Sequence, residues 1–435
     1  MNYPPHISEK DGHLYIGEHD TNVLAEKYGT PLYVTDEQRI RDNYQSYYDA
    51  LKGYYDKVQV LYAAKANGNL AVMKIFASLG AGADIFSAGE LHLALAAGMN
   101  PDYLLYNGSS KTTEDLSLAL EKKIRVSLDS VDELRQLSAI AQDAGVTAEV
   151  SFRVNPAMEV PTHPKIATGL ATSKFGIHAG EIVSAYQAAM DAENILPVGI
   201  HCHIGSQILE VAPFAKEAEV LISVASEITD IGVKLRFMDV GGGLGIPYHH
   251  DTDPVPTPAE YADAVMPVFL DGINSIGIKP EFWVEPGRFL MADSTVLLTR
   301  VNSVKQSHKK FVNVDAGFNL LARPAMYDSY HEVVVANKTG PDYADDAKRD
   351  VMTVTGPICE TGDILAHDRL LPAVESGDLI AVLDTGAYGF SMSSQYNSRP
   401  RCAEVMVNGS QEGLMRRRES IIDIKQTMKD LPWQK

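Results

Sequence analysis

Short apolar runs that alternate with helical patterns are the feature that most constrains the fold of this chain. Eight such runs occur, at residues 58–64, 84–87, 103–107, 124–129, 148–154, 198–204, 236–240 and 281–285. Strands that alternate with helices at this spacing form parallel βαβ units. Eight units in about 250 residues is the number of a closed (β/α)8 barrel, whereas an open doubly wound sheet normally has fewer strands. We therefore predict an α/β fold with a (β/α)8 TIM barrel and keep the open sheet as the alternative.

Helix signals lie between these runs. Thr35 and Gln38 have the spacing of a capping box, as do Ser130 and Glu133, and Gly145 stands where a helix would end in a left-handed residue. Apolar residues that repeat at intervals of four and three over residues 214–228 predict a helix with one buried face.

Beyond residue 290 the pattern changes to strands separated by turn signals, with little helix between them. This pattern predicts a second, mostly antiparallel β domain. The run at residues 13–17 precedes the first barrel helix and is expected to join it. The predicted domains are residues 36–290 for the cofactor-binding barrel, and residues 1–35 with 291–435 for the β domain. Two loops, at 156–177 and 244–257, are longer than a barrel needs, which is typical of lids or binding loops.

Charge and cysteine content limit the partners of this chain. Its formal net charge of −19 makes nucleic acid and anionic membrane surfaces poor partners. Three cysteines without a CxxC motif form no disulfide framework, which favours a reducing compartment. The N-terminus lacks the pattern of a signal peptide, and no apolar stretch approaches the length that spans a bilayer. We therefore expect a cytoplasmic protein that binds neither nucleic acid nor membrane.

In a barrel the active site forms at the C-terminal ends of the strands, so the residues that follow each run are the candidates. Lys65 follows the first run, where it is either a solvent-exposed rim lysine or a lysine that forms a Schiff base. His201 and His203 stand two apart on the sixth run and therefore face the same side. They fit packed core histidines, zinc ligands with a third partner, or an imidazole stacked on a flat cofactor. Cys202 faces the other way, which weakens the zinc interpretation.

The last two strand ends carry a glycine-rich turn and a charged pair. The turn at 241–243 is either a plain tight turn or a nest of backbone N–H groups for an anion, at the usual phosphate position of barrels. Glu285 and Arg288 are either a simple salt bridge or partners of a ring nitrogen and an anionic group. A lysine, a stacking histidine, a phosphate nest and a carboxylate are together the groups that pyridoxal phosphate needs.

Several longer motifs occur in one order along residues 62–405. They are YAAKAN, HCHIGSQI, DVGGGLG, EPGR, RPAMYDSYH, GPICETGD and GAYGFSMSSQYNSRP. This set resembles the diaminopimelate decarboxylases, which belong to the fold-type III pyridoxal-phosphate group and share the alanine racemase fold. The resemblance implies decarboxylation of meso-2,6-diaminopimelate to L-lysine and carbon dioxide with pyridoxal 5'-phosphate. It also implies a head-to-tail homodimer with shared active sites, and it implies no metal.

The resemblance further implies a role for each matching residue. Lys65 would hold the cofactor, His203 would stack on its ring, Glu285 would bind the pyridine nitrogen, and Cys359 would be a proton donor supplied by the partner subunit. The implied cofactor contacts are Lys65, His203, Ser206, Gly241, Gly242, Gly243, Glu285, Gly287, Arg288 and Tyr388. The implied substrate contacts are Arg288, Arg323, Tyr327, Glu360 and Tyr388. The segment THPKIATGLATSKFG resembles the mobile active-site loop of the family.

Three alternatives stay open beside this hypothesis. Ornithine, arginine and carboxynorspermidine decarboxylases share the group, but those that act on diamines without a distal carboxylate have little use for Arg323, and their pattern has Asp where this chain has Glu360. An alanine racemase would place Arg rather than Glu285 against the pyridine nitrogen. A non-catalytic regulator or inactive homologue would lack the β domain, the lysine or the cysteine, all of which this chain has.

Overall fold

The structure, a computed structural model, describes residues 3–433, which divide into two units. The unit that we call the β unit runs up to Ile40, includes Pro247–Asp253 and resumes at Met291. The other, which we call the barrel unit, comprises Arg41–Ile246 and Pro254–Leu290. The predicted division into a cofactor-binding barrel, residues 36–290, and a β domain, residues 1–35 with 291–435, stays a prediction.

The strands of the described residues are β1 (Ile7–Lys10), β2 (His13–Ile16), β3 (His19–Asp20), β4 (Leu32–Asp36), β5 (Val58–Ala63), β6 (Gly82–Ile85), β7 (Leu104–Tyr106), β8 (Arg125–Leu128), β9 (Ala148–Asn155), β10 (Ile177–His178), β11 (Ile195–Cys202), β12 (Phe237–Asp239), β13 (Glu281–Val284), β14 (Thr295–Gln306), β15 (Lys310–Val314), β16 (Val333–Val335), β17 (Asp350–Thr355), β18 (Ile364–Leu371), β19 (Leu379–Val382), β20 (Ala403–Asn408) and β21 (Gln411–Arg416). The α-helices are α1 (Thr21–Tyr28), α2 (Glu37–Lys52), α3 (Leu70–Ser78), α4 (Ala88–Ala96), α5 (Thr113–Glu121), α6 (Val131–Ala144), α7 (Ile182–Asp191), α8 (Ala212–Asp230), α9 (Pro258–Ile276), α10 (Arg288–Met291), α11 (Arg323–Tyr327) and α12 (Ile421–Lys425).

Eight parallel strands close the barrel unit into a ring. Their order is β5-β6-β7-β8-β9-β11-β12-β13, and β13 pairs again with β5. The two-residue β10 adds to the side of β9. Each predicted apolar run overlaps one strand of the ring, although β6 begins two residues before its run. The predicted closed barrel is therefore confirmed, and the open sheet is not what forms.

Aromatic packing fills part of the barrel interior. The rings of Phe237 and Trp283 stack with centroids 3.9 Å apart, and both belong to a buried cluster with Leu61, Leu105 and Val198. A Cβ on the neighbouring Gly199 would lie 2.2 Å from the Phe237 ring, so only glycine leaves room for this stack. The large aromatic residues thus occupy space that a ring of strands would otherwise leave empty.

The helix signals were correct in one place and wrong in another. Ser130 caps α6 by accepting from the Glu133 N–H, and Gly145 ends that helix at φ 65°. The expected capping box at residues 35–38 does not form, because Thr35 lies inside β4, which pairs with both β14 and β20. Asp36 caps α2 instead, with its Oδ1 accepting from the N–H of Arg39 at 2.8 Å. Burial of β4 between two strands therefore outweighs the local cap signal.

The β unit holds the predicted mostly antiparallel sheet. Its main path is β18-β17-β15-β14-β4-β20-β21, with β19 joining β14 to β16, and only the β15–β17 and β4–β20 pairs are parallel. The N-terminal run forms β2 in a separate three-stranded sheet, β1-β2-β3, within the same unit. Two clusters of buried apolar side chains pack this unit. The predicted strands do not include β18 or β21.

Candidate active site

Lys65 lies on a single 3-10 turn, Ala64–Ala66, directly after β5. Its amine forms an ion pair with the carboxylate of Asp84 near the end of β6, and its Nζ lies 4.4 Å from the centre of the Phe86 ring. The Lys65 side chain is 32% exposed, whereas the Asp84 side chain is fully buried. Burial, together with the charge of Glu285, raises the pKa of Asp84. The strand end therefore presents a partly accessible amine that is held by a buried acid.

Glu285 follows β13 and has polar contacts on two sides. Its Oε1 accepts from the Asn107 amide at 2.7 Å, and its Oε2 lies 3.4 Å from His201 Nε2. His201 is completely buried, and its Nδ1 lies 2.9 Å from the Ser127 hydroxyl. Burial opposes ionisation of Glu285, but the neighbouring His201 outweighs it, and the pKa of Glu285 falls to about 2. This site therefore offers an ionised carboxylate, the form that a protonated ring nitrogen would pair with.

The two predicted histidines have different surroundings. His203 accepts the N–H of Gly242 at its Nδ1, 3.2 Å away, and it is only partly buried. Burial and the positive charges of Arg153 and Lys65 hold the pKa of His203 well below its usual range, so its ring is neutral. A neutral imidazole that bonds at its edge is suited to packing against a flat ring.

A metal site was one interpretation of these histidines. His201, Asp239 and Glu285 each offer a ligand atom, and the three atoms lie within 4.8 Å of one another. His203 is not in this group. Asp239 Oδ1 already accepts the N–H of Gly241 at 2.8 Å, and the other two residues hold the hydrogen-bond partners described above. Among the described residues, His201 Nε2 and Asp239 Oδ2 have no hydrogen-bond partner. The expected absence of a metal stays a prediction.

The glycine turn after β12 fits closely against its neighbours. Gly241 has φ +66°, and a Cβ there would lie 2.6 Å from the carbonyl oxygen of Cys202. At Gly242 a Cβ would lie 2.2 Å from the carbonyl oxygen of Glu285, and at Gly243, φ +126°, it would lie 2.7 Å from that of Gly205. Close packing against neighbouring backbone therefore requires glycine at these positions, and the N–H groups of Gly241 and Gly242 donate to Asp239 and His203.

Two polar side chains complete an anion site near this turn. Arg288 is buried, and its Nε and Nη2 donate to the Ser206 hydroxyl at 3.1 and 2.9 Å. Gly287 lies buried beside Arg288 in the same segment. A guanidinium and a hydroxyl beside a glycine turn are donors that suit a phosphate monoester. The residues present therefore fit the phosphate of the expected cofactor.

The long loop at 156–176 packs on the segment that carries His203 and Ser206. The Thr168 hydroxyl donates to the His203 carbonyl at 3.0 Å, and the Thr162 hydroxyl donates to the Ser206 carbonyl at 2.6 Å. The Ser206 N–H donates in turn to the carbonyl of Ile166 at 3.2 Å. This loop therefore lies beside the proposed cofactor site, and its role as a lid stays a prediction.

Cys359 and Glu360 belong to the β unit, where both are exposed. Asn397 Nδ2 donates to Cys359 Sγ at 3.0 Å, and its Oδ1 accepts the Cys359 N–H at 3.1 Å. The Tyr396 hydroxyl donates to Glu360 Oε1 at 2.6 Å, and this bond, with the nearby thiol, raises the pKa of Tyr396 to about 12. The sequence motif contained Asn397 and Tyr396, but no role had been assigned to either.

Arg323 opens α11 and is buried within the β unit. Its Nη1 lies 3.0 Å from His331 Nε2, and its guanidinium lies 4.7 Å from the centre of the Tyr248 ring. Tyr327 ends the same helix half-buried, and Tyr388 has a positive φ of 57°. The predicted roles of these residues in substrate binding stay predictions.

The barrel brings most of the predicted cofactor residues to one end of one unit. These are Lys65, His203, Ser206, Gly241, Gly242, Gly243, Glu285, Gly287 and Arg288. Asp84 and Asn107, which bond to Lys65 and Glu285, are not among the predicted site residues. Asn107 is the last residue of its predicted run, so the strand-end rule applied to every polar residue finds it, whereas Asp84 opens its predicted run and carries no such signal.

Comparisons with known proteins agree with this geometry. The family profile "Pyridoxal-dependent decarboxylase, pyridoxal binding domain" matches residues 37–292. The chain is 48% identical to a diaminopimelate decarboxylase of Archaeoglobus fulgidus, with 98% of this chain and 99% of that protein covered. It is 45% identical to one of Methanothermobacter thermautotrophicus, with 97% and 96% covered. A solved diaminopimelate decarboxylase of M. jannaschii in complex with L-lysine has a TM-score of 0.92 at 37% identity, with 98% of each chain covered.

A separate observation concerns membranes. Among residues 3–433, none of the helices combines the length and the apolar character needed to cross a bilayer.

Proposed function

The chain belongs to the diaminopimelate decarboxylase family of pyridoxal-dependent decarboxylases, and from this premise we propose that it converts meso-2,6-diaminopimelate to L-lysine and carbon dioxide. The observation that carries the proposal is that two buried acids with different partners lie at the same end of the barrel. One of them, Asp84, holds the amine of Lys65, and the other, Glu285, is ionised beside His201. Decarboxylation of an amino acid at a pyridoxal site needs both an amine and such a carboxylate.

Pyridoxal phosphate, when bound, supplies an electron sink for the pair of electrons that remains on the α-carbon after carbon dioxide departs. The residues that would hold it are Lys65 at its aldehyde, Glu285 at its ring nitrogen, and Ser206 with Arg288 and the glycine turn at its phosphate. Neutral His203 would pack against its ring. The buried Arg288 and its bonds to the Ser206 hydroxyl support this assignment.

Residues of the β unit would complete the reaction. The bond between the α-carbon and one carboxylate breaks, the carboxylate leaves as carbon dioxide, and a proton must then reach the α-carbon. We assign that proton to the thiol of Cys359, which is exposed and oriented by Asn397. Arg323 would recognise the distal carboxylate, which is retained, and Glu360 would recognise the distal ammonium group. Tyr327 and Tyr388 would flank the substrate.

We further propose that the protein is a homodimer whose active sites are shared, with Cys359 and Glu360 serving the cofactor of the partner subunit. The exposure of both side chains on the β unit supports this arrangement. The net charge of −19 supports the absence of nucleic acid among its partners. All three cysteines are free, which supports a cytoplasmic location.

An absorbance titration tests this function. The purified protein loaded with pyridoxal phosphate should show a visible band that shifts when meso-diaminopimelate is added, and it should release lysine and carbon dioxide in equal amounts. Ornithine and arginine are the comparison substrates. A larger shift and faster turnover with either of them would contradict the assignment, because neither has a distal carboxylate for Arg323.

A further inference from the structure

Asn107 connects the two acids of the candidate site. It lies at the end of β7 and is buried, and its backbone N–H donates to the Ile85 carbonyl at 2.7 Å. Its side-chain Nδ2 donates to Asp84 Oδ1 at 2.6 Å and to Glu285 Oε1 at 2.7 Å. An amide nitrogen carries two hydrogens, so the two carboxylates use both. Because both partners are acceptors, only this orientation of the amide is favourable.

All hydrogen bonds of the Asn107 side chain to the two acids are made by its amide nitrogen, Nδ2. Asn107 Oδ1 is buried and has no hydrogen-bond partner in the part of the chain that the structure describes. Leaving a buried acceptor unpaired is unfavourable. The position is therefore explained by what the two N–H groups do for the acids, and not by the carbonyl.

The bonds to Asn107 complete a continuous path of polar contacts through the barrel end. In order, its members are Lys65, Asp84, Asn107, Glu285, His201 and Ser127. The amine thus stands at one end of the path and the ionised carboxylate near the other, with a single amide between the two acids.

Two neighbouring buried carboxylates tend to share one proton, because like charges in a region of low dielectric repel. The structure shows this tendency at Asp84, whose pKa is raised by burial and by Glu285. An N–H donated to each acid favours the ionised form of each. Without those donors, one of the two acids would retain a proton at higher pH.

We propose that Asn107 is a positioning residue that keeps Asp84 and Glu285 apart as two separate carboxylates, one for Lys65 and one for the cofactor ring. This inference rests on the proposed function and deepens it. Asn107 itself would contact neither substrate nor reacting atoms and would act through the two acids.

Other ionisable groups near the two acids also enter the pH dependence. They are Lys65, Glu90, His201, His203, Glu217 and Asp239. All of them are unchanged in the variants below. Asn107→Ser adds no ionisable group, so a change in its pH profile reports on the loss of the amide at position 107.

The test replaces Asn107 by Asp, which has the same size and shape but adds a third carboxylate in place of the amide. In Asn107→Asp the acid limb of the kcat profile should move to higher pH by about one unit or more, since each unit corresponds to about one lost charge-assisted hydrogen bond. The affinity for pyridoxal phosphate, read from the visible band on dilution, should fall about tenfold or more at pH 7. Asn107→Ser, which keeps one donor, should be intermediate in both measurements.

Asn43→Asp is the matched control. Asn43 is a buried asparagine of α2 that donates to the Leu290 carbonyl. The control should lose thermal stability but keep the pH profile and the cofactor affinity of the unmutated protein. The proposal is overturned if Asn107→Asp, or Asn107→Ser when the Asp variant fails to fold, matches this control in both measurements. Failure of the unmutated protein to bind the cofactor or to turn over would instead contradict the proposed function.

Discussion

The buried acids of the barrel unit and the exposed pair Cys359 and Glu360 of the β unit have opposite surroundings. In the barrel unit, Asp84, Glu285 and His201 are buried and bond to one another or to Asn107. In the β unit, Cys359 and Glu360 are exposed, and each is oriented by one neighbouring side chain. Buried charges are stable only when they are paired, so the barrel residues depend on one another, whereas exposed groups can be exchanged without that penalty.

This difference predicts two kinds of failure. Substitutions among the barrel residues should disturb cofactor binding and neighbouring groups together. Substitutions of the exposed residues should remove chemistry while the fold and the bound cofactor persist. The four predictions below run from the largest expected effect to the smallest.

Lys65→Ala should abolish both turnover and the visible band of the bound cofactor, because the amine that holds the cofactor is lost and Asp84 is left without its ionic partner. Absorbance and a product assay measure the two effects. Lys74→Ala, an exposed lysine of α3, is the control and should retain both. A Lys65 variant that kept the band would disprove the cofactor assignment.

Cys359→Ala should keep the bound cofactor and lose turnover. When it is unfolded, mixed with Lys65→Ala and refolded, random pairing makes about half of the dimers mixed, and one site of each mixed dimer is intact. Activity should therefore return to about one quarter of the unmutated value. Each variant refolded alone is the control. Mixed dimers that are confirmed by mass but remain inactive would show that both residues act within one subunit.

Arg323→Ala should raise KM for diaminopimelate strongly, since loss of a charge-assisted pair to a carboxylate costs about 2–4 kcal/mol. Arg323→Lys keeps the charge but loses the bidentate geometry, so its KM should lie between that of the unmutated protein and that of Arg323→Ala. Arg300→Ala, which removes a partly exposed ion pair with Glu26, should leave KM unchanged. A melting curve separates this effect from loss of the buried contact with His331. An unchanged KM in a folded Arg323→Ala protein would remove Arg323 from the substrate site.

Glu217 on α8 is a fully buried acid of the barrel unit whose pKa burial raises well above its usual value. The unfolded chain ionises this group near pH 4.3. Above that pH, the folded protein loses stability by up to about 1.4 kcal/mol per pH unit until the folded pKa is reached. Glu217→Gln removes this loss, so its unfolding free energy relative to the unmutated protein should rise between pH 5 and pH 8.

Denaturant unfolding at both pH values measures the Glu217 effect. Glu219→Gln on the same helix is the control, because Glu219 is exposed and pairs only at the surface with Lys216. Its stability should follow that of the unmutated protein at both values. A Glu217→Gln protein that behaves like Glu219→Gln would show that the buried acid is not a source of the pH dependence.

The sequence by itself determined the barrel, the second sheet and most of the candidate site. Strand and helix periodicity is local, and each of the eight runs overlaps a strand of the ring. Lys65 and the glycine turn were found because each follows a run directly, and Glu285 because it ends one. The motif resemblance pointed to the family that the comparisons show. The predicted helix start at Ser130 and helix end at Gly145 were also confirmed, because a cap depends on residues within one turn.

Only the tertiary structure decided which strand ends meet. Asn107 bonds to Asp84, 23 residues away, and to Glu285, 178 residues away, because ring closure makes β13, β5, β6 and β7 neighbours. Hydrophobic periodicity reports which face of a strand is buried, but not which polar groups share the buried space. The same reason explains Thr35, which has a local cap signal yet lies in β4, since its pairing partners come from β14 and β20. Local patterns thus identify the elements, whereas long-range pairing selects the partners of each buried charge.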